Sequence, residues 1–312
     1  MKTIFDNLEI GALLSPMSGI TDVAFRSLCA EYGADITYTE FTHSSSILNG
    51  EDTLRIKRSS EEKIVGCQLF GNNIEEVVEA AKHVEDKFDL IDINCGCPAW
   101  KVIKSGSGSA LLNNPSKIHS LVERLVEEVH VPVTVKIRIG IDKENINALN
   151  VSKAIQRAGG AAIAIHGRTT KQGYSGKADW DVIKKVKQNI DIPVIGNGDI
   201  FTPEDYKEKM SETGVDAIMI ARGAMGNPHL FKNIKEYLEK GTYTTNKELE
   251  AFFSYYERAV KEGIQTVNIK KQAMQFTKGM RGGSTIRKKL TEANNKKEIY
   301  NVLNSVENPE FT

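Results

Sequence analysis

The chain is poor in cysteine, lacks a long apolar run and carries no net charge, and each shortage removes a class of protein. Its four cysteines, Cys29, Cys67, Cys95 and Cys97, are irregularly spaced over 312 residues. That excludes a disulfide-stapled secreted scaffold and points to a reducing compartment. Cys95 and Cys97 lie two apart, but neither the other cysteines nor the six histidines supply further ligand spacing, so no metal site is expected and Cys95 reads as packing. No stretch reaches the roughly 18 apolar residues of a membrane span. The opening MKTIFDNLEIG puts acids where a secretion signal needs an apolar core, so a cytoplasmic protein without a membrane partner is expected. With 41 basic and 41 acidic side chains, the total charge gives no sign of a polyanionic partner.

The balance is global and not local. Residues 270–297 hold Lys270, Lys271, Lys278, Arg281, Arg287, Lys288, Lys289, Lys296 and Lys297 against the single acid Glu292, nine cations to one. Such a segment is either a phosphate-binding surface or a solvated helical face.

What is present is a regular alternation. Short apolar, β-branched runs at 12–15, 35–38, 63–70, 90–94, 132–138, 161–167, 192–198 and 215–221 are separated by amphipathic segments such as 74–87, 116–129, 145–157, 180–189 and 203–211. Strict alternation implies right-handed crossovers and a parallel sheet, and eight units predict a closed (β/α)8 TIM barrel. Beyond about residue 240 the strand pattern stops, and 246–262, 266–278 and 284–304 read as helices. The expected organisation is a barrel over 1–240 and a small all-helical domain over 241–312.

Barrel chemistry belongs at the C-terminal ends of the strands. The loops after strands seven and eight, GNGDI and ARGAMGNP, are glycine-rich where a phosphate docks in such folds, with Arg222 as a charged partner. At strand ends five and six, Lys136 shares a face with Arg138 and His166 with Arg168. Lys136 and His166 suit an electron-rich cofactor, with ion pairs to Asp92 or Glu40 as the other outlet for buried charge; the arginines stay open. Gln68 and Asn94 end strands three and four, where an amide can address the edge of a heterocycle. Pro16, Met17 and Ser18 end strand one. Cys97, followed by Pro98, Lys101, Lys104 and the loop SGSGSALL, is placed for proton transfer. Tyr174, with Arg168 and Lys171 nearby, interleaves an aromatic with cations as nucleic-acid sites do.

In order along residues 11–228, PMSGITDVAFR, QLFGNN, DINCGCPAWKV, GSGSALL, KIRIG, HGRTTKQGYSGKADW, IGNGDI and ARGAMGNP resemble the tRNA-dihydrouridine synthases. The resemblance implies an FMN enzyme that reduces selected uridines of tRNA at C5–C6, with NADPH reloading the flavin. It implies that Pro16, Met17, Ser18, Gln68, Lys136 and His166 hold the isoalloxazine and ribityl portion. Asn197, Gly198, Asp199, Ala221 and Arg222 would hold the phosphate, and Cys97 would be the general acid. Asn94, Lys101, Arg168 and Tyr174 would meet the RNA, and Lys270, Lys271, Arg287 and Lys288 of the helical tail would bind its phosphates. The rival readings are an FMN barrel that reduces a free pyrimidine, which has no need of a basic tail, and an RNA-binding relative without catalysis.

Overall fold

The computed structural model describes residues 4–51, 54–244 and 248–307. Eight parallel strands close on themselves: β1 Ala12–Leu14, β2 Ile36–Tyr38, β3 Ile64–Phe70, β4 Leu90–Cys95, β5 Val133–Arg138, β6 Ala162–His166, β7 Val194–Asn197 and β8 Ala217–Ile220. Each pairs with its neighbours, and β8 pairs with β1 to complete the TIM barrel. A two-residue strand, Thr42–His43, adds to the far end of β3. All eight coincide with the predicted runs.

Side-chain alternation sorts each strand into an inner and an outer face. Leu13, Ile36, Tyr38, Leu90, Ala162, Ala164, Ile195, Ala217 and Met219 pack inside the barrel, with Phe5 added to the same cluster. Ile91, Ile93, Cys95, Val133, Val135, Ile137, Ile163 and Ile165 face the helices instead. The interior is filled by side chains, and Gly66 shows how tightly: a Cβ there would stand 2.6 Å from the Tyr38 ring. Asp35 draws the chain before β1 inward by accepting the N–H groups of Glu9, Ile10 and Gly11 at 2.9, 3.1 and 2.8 Å.

The outer ring comprises α1 Val23–Glu31, α2 Ser44–Leu48, α3 Ile74–Val84, α4 Trp100–Lys104, α5 Pro115–Glu128, α6 Ala148–Arg157, α7 Trp180–Lys187, α8 Pro203–Thr213 and α9 Leu230–Lys240. Their starts follow sequence rules. Asp22, Asn73, Asn114, Asp179 and Thr202 each cap a helix with a side-chain oxygen, and Thr202 with Asp205 forms a capping box.

Four helices follow among the described residues: α10 Glu248–Lys261, α11 Thr266–Phe276, α12 Gly283–Glu292 and α13 Lys296–Glu307. The predicted start of the first, at 246, lies outside the described residues. The predicted helix 284–304 is two helices, because Ala293 is extended and Asn295 restarts the chain by accepting the Glu298 N–H at 3.0 Å. Glu298 returns the contact by accepting the Asn294 N–H at 2.6 Å.

These helices dock beside the first and eighth strand-to-helix loops. The Tyr255 hydroxyl donates to Asp22 at 3.0 Å, Gln272 Nε2 donates to the Ile20 carbonyl at 2.7 Å, and a Cβ on Gly226 would stand 2.5 Å from the Gln275 backbone. Phe252, Tyr255, Ile269, Phe276, Leu290 and Leu303 continue the hydrophobic cluster of the barrel's outer layer.

Candidate active site at the barrel mouth

The C-terminal ends of the strands surround a cavity of about 530 Å3, within the ~300–1,000 Å3 range of small-molecule sites. Pro16, Met17, Ser18, Asn94, Cys97, Lys136, His166, Tyr174, Asn197, Gly198, Asp199, Ala221 and Arg222 all line it. Residues from separate loops therefore meet where the sequence placed them. Gln68, Lys101 and Arg168 do not line it.

The cavity is cationic. Lys136 Nζ lies 3.3 Å from Asn197 Oδ1 and has no carboxylate partner among the described residues. Neither anticipated acid bonds it directly: Asp92 accepts from Gln68 and Thr134, both at 2.6 Å, and acts on the ammonium only through space, and Glu40 accepts the Gly19 N–H at 2.6 Å. Burial, reinforced by Arg138, lowers the Lys136 ammonium to about 8. Burial and the nearby Lys136, Arg138, Arg168 and Arg222 lower His166 to about 2, so its imidazole is neutral. A neutral ring beside cations can donate from one nitrogen and accept at the other.

The two arginines left open by the sequence are loop clamps. Arg138 lines the cavity and donates from Nε to Gly96 O at 3.0 Å and from Nη1 to Thr169 O and Gly173 O at 2.8 and 2.9 Å. Arg168, expected at the RNA, is instead 2% exposed. It donates to Ser175 O at 3.1 Å and to both Asp199 oxygens at 2.8 Å, and also bonds Gly176 O. Between them the two guanidiniums fix the segment that carries Tyr174. That ring lies 5.0 Å from the Arg222 guanidinium and 5.9 Å from that of Arg138, a cation–π geometry.

The glycine-rich loops form a second sub-region. Gly198 has φ 137° and Asp199 φ 54°, a left-handed conformation uncommon outside glycine. Asp199 accepts from Arg168, from Arg222 at 2.7 Å and from the Ala178 N–H at 2.8 Å. Burial pushes its carboxyl up, but these partners outweigh it and hold the group below its usual range. Its oxygens are committed, and they orient Arg222. Among the described residues, the N–H groups of Gly198, Arg222 and Gly223 find no acceptor within the chain.

Cys97 follows β4, two residues beyond Cys95, and lies past the strand's end, where the period-two alternation that would put both on one face no longer holds. Cys95 is fully buried against the helices, whereas Cys97 is half-buried and faces the cavity. Asn94 Oδ1 accepts the Gly96 and Cys97 N–H groups at 3.1 and 2.9 Å. Asn94 Nδ2 donates to Gln68 Oε1 at 2.9 Å, and Gln68 Nε2 donates to Asp92 at 2.6 Å. Each end of the Gln68 amide thus has one partner, and through Asn94 it supports the loop that carries Cys97. Burial raises the Cys97 thiol above its ordinary value despite the Ala99 N–H, Arg138 and Lys136, so it stays protonated at neutral pH. The SGSGSALL loop closes on it, with the Ser109 N–H donating to Cys97 O at 3.1 Å.

In the tail, Lys271 and Lys288 are exposed, Lys270 Nζ donates to Thr291 O at 3.0 Å and Arg287 donates to Thr277 O at 2.7 Å. Lys271 reaches the barrel rim: a Cβ on Gly19 would lie 3.1 Å from its Nζ. Phe41, Phe201, Met219 and Met225 also line the cavity without having been anticipated. Met219 was legible as an inward strand position, while the phenylalanines lie in loops where no periodicity applies.

The protein is thus a parallel barrel with a ligand-sized, cation-lined cavity and a protonated thiol at its mouth. Residues 13–309 match the dihydrouridine synthase (Dus) family model, and the chain belongs to that family. It is 43% identical over 232 residues to tRNA-dihydrouridine synthase B of Shewanella oneidensis, covering 73% of this chain and 72% of that one. The tRNA-dihydrouridine synthase B of Pseudomonas putida is 39% identical over 246 residues, covering 78% and 73%. Among solved structures, the old yellow enzyme homologue of Zymomonas mobilis superposes with TM-score 0.54 at 13% identity, over 80% of this chain and 96% of that one, which shows the shared barrel.

Proposed function

We propose that this chain is a tRNA-dihydrouridine synthase that uses FMN, reloaded by NADPH, to saturate the C5–C6 bond of uridines in tRNA, with Cys97 as the proton donor. One observation carries this reading: a protonated, half-buried thiol faces a cavity whose inward cation, Lys136, has no carboxylate partner among the described residues. A buried ammonium of that kind calls for an electron-rich ligand.

The residues fit a flavin mononucleotide. Pro16, Met17, Ser18, Lys136 and His166 would hold the ring and ribityl portion. The vacant N–H groups of Gly198, Arg222 and Gly223, with the Arg222 guanidinium oriented by Asp199, would hold the phosphate. When bound, the flavin supplies the hydride that reaches C6 of the uracil.

Cys97 holds a proton at Sγ and gives it to C5. Asn94 fixes the backbone that aims that thiol, and Arg138 ties the same loop, through Gly96 O, to the segment carrying Tyr174. Lys136 stands ready for the negative charge that develops on the uracil oxygen. The uridine must leave the folded RNA to reach this depth, at a cost of a few kcal/mol. Phosphate contacts by the tail, whose Lys271 stands at the rim, offset that cost. The same helices argue against a free pyrimidine as substrate, because a small molecule needs no such surface. The division into a barrel over 1–240 and an RNA-binding unit over 241–312 is part of this proposal.

Anaerobic single turnover tests it. Protein loaded with FMN and reduced by NADPH should be reoxidised by an unmodified tRNA transcript, with dihydrouridine appearing in step. Failure to take up FMN, or reoxidation by free uracil and not by tRNA, overturns the reading.

A further inference from the structure

We propose that Trp100 is a stacking platform for a nucleobase next to the uridine that enters the cavity. The inference rests on the tRNA reading above and adds a contact to it. Trp100 is 73% exposed, more than any other large hydrophobic residue among those described. It begins α4 directly after Cys97, Pro98 and Ala99, all of which line the cavity, yet it does not line the cavity itself. The indole therefore sits on the rim, one residue from the loop that carries the reactive thiol. Among the described residues it makes no aromatic or cation contact and its N–H has no acceptor.

A tryptophan exposed beside the residues that line a binding cavity offers an aromatic face on which a planar ring can stack, and the neighbouring charge says which kind of ring. Residues 97–112 contain Lys101 and Lys104 and no acid, so the charged chain neighbours of Trp100 are all cations. Lys101 is exposed beside it. An exposed aromatic plane bordered by cations fits a nucleotide, base on ring and phosphate on ammonium. Lys101 thereby acquires the RNA contact expected of it, at the rim and not within the cavity. Tyr174, 63% exposed, lines the cavity and offers a second aromatic plane to solvent.

The chain has two tryptophans, and the other, Trp180, is 8% exposed with its Nε1 donating to Gly198 O at 3.1 Å. Tryptophan fluorescence of the FMN-loaded protein, titrated with unmodified tRNA transcript, therefore reports on Trp100. Quenching is expected in the wild type and should vanish in Trp100→Phe. Trp100→Ala should raise the tRNA dissociation constant roughly 5- to 100-fold, the worth of one stacked base, with most of the loss recovered in Trp100→Phe. NADPH reduction of the bound flavin should be unchanged in both variants. Unaltered tRNA affinity in Trp100→Ala, or quenching that persists in Trp100→Phe, overturns the proposal. So does a fluorescence change that follows protein concentration without RNA, which would assign the surface to a second copy of the chain. If the wild type forms no dihydrouridine, the activity reading fails separately, while the titration still decides whether Trp100 stacks on RNA.

Discussion

The barrel mouth and the C-terminal helices both concentrate positive charge, and they hold it in opposite ways. At the mouth Lys136, Arg138, Arg168 and Arg222 are each fixed by an amide, a carbonyl or a carboxylate. In the tail Lys271, Lys278, Arg281, Lys288 and Lys289 stand in solvent. A desolvated, positioned cation acts strongly on one ligand in one pose, because little water screens it. Solvated lysines act weakly and additively on any phosphate nearby, and salt displaces them. The first arrangement suits a cofactor and a developing charge; the second suits a large polyanion.

The largest expected effect lies at the mouth. Cys97→Ala should lower turnover by ~10²–10⁴-fold, the usual worth of a positioned acid, while flavin content and tRNA affinity stay as in the wild type. Because burial raises the thiol, turnover should be flat through neutral pH and fall only as the pH rises beyond the ordinary thiol range. Equal turnover in the variant, measured as dihydrouridine per flavin, would remove the thiol from the chemistry.

Lys136→Met comes next. Removing a charged hydrogen bond of ~1.5–3 kcal/mol should weaken FMN binding roughly 10- to 100-fold. In the wild-type apoprotein the ammonium is charged below about 8 and discharged above it. FMN affinity, followed by flavin fluorescence, should therefore fall as pH rises through that value, and the variant should not show the fall.

Replacing Lys270, Lys271, Lys288 and Lys289 together by Ser should spare the flavin and weaken tRNA binding. The log–log salt slope should become shallower by about 0.7–0.9 for each phosphate the tail no longer neutralises. An unchanged slope would place the RNA elsewhere and erase the contrast.

The smallest effect is expected where the two regions join. Burial raises the Asp22 carboxyl from 3.8 to about 6, against the pull of Phe25 N–H and Tyr255. Between those values the folded chain binds more protons than the unfolded one. The stability this group contributes is thus full below the unfolded value and is lost as pH rises through about 6. Asp22→Asn should flatten that dependence in melting temperatures taken from pH 4 to 7, relative to the wild type.

The strands and the convergence of Cys97, Lys136 and His166 were legible because period-two alternation and strand order fix both. The fate of Gln68 was not: its amide is claimed by Asp92, a partner set by the cross-strand register that pairs those two residues. The burial of Arg168 was not legible for a related reason, since its acceptors Ser175, Gly176 and Asp199 depend on loop conformations that periodicity does not reach. The helix break at Ala293 was hidden because apolar spacing continues through it, with Leu290, Ala293 and Ile299 all buried. The basic tail segment was ambiguous as sequence, and its place beside the barrel rim, with Lys271 standing over Gly19, depends on tertiary docking that composition does not reveal.

The central claim, that a cofactor-holding barrel and an RNA-holding tail act on one uridine, is tested most directly by counting dihydrouridine. Unmodified tRNA transcript incubated with the FMN-loaded protein and NADPH should gain dihydrouridine at discrete positions by mass spectrometry. The yield at subsaturating RNA should drop steeply as salt is raised. No dihydrouridine in any tRNA, alongside ready reduction of free uracil, would contradict the account.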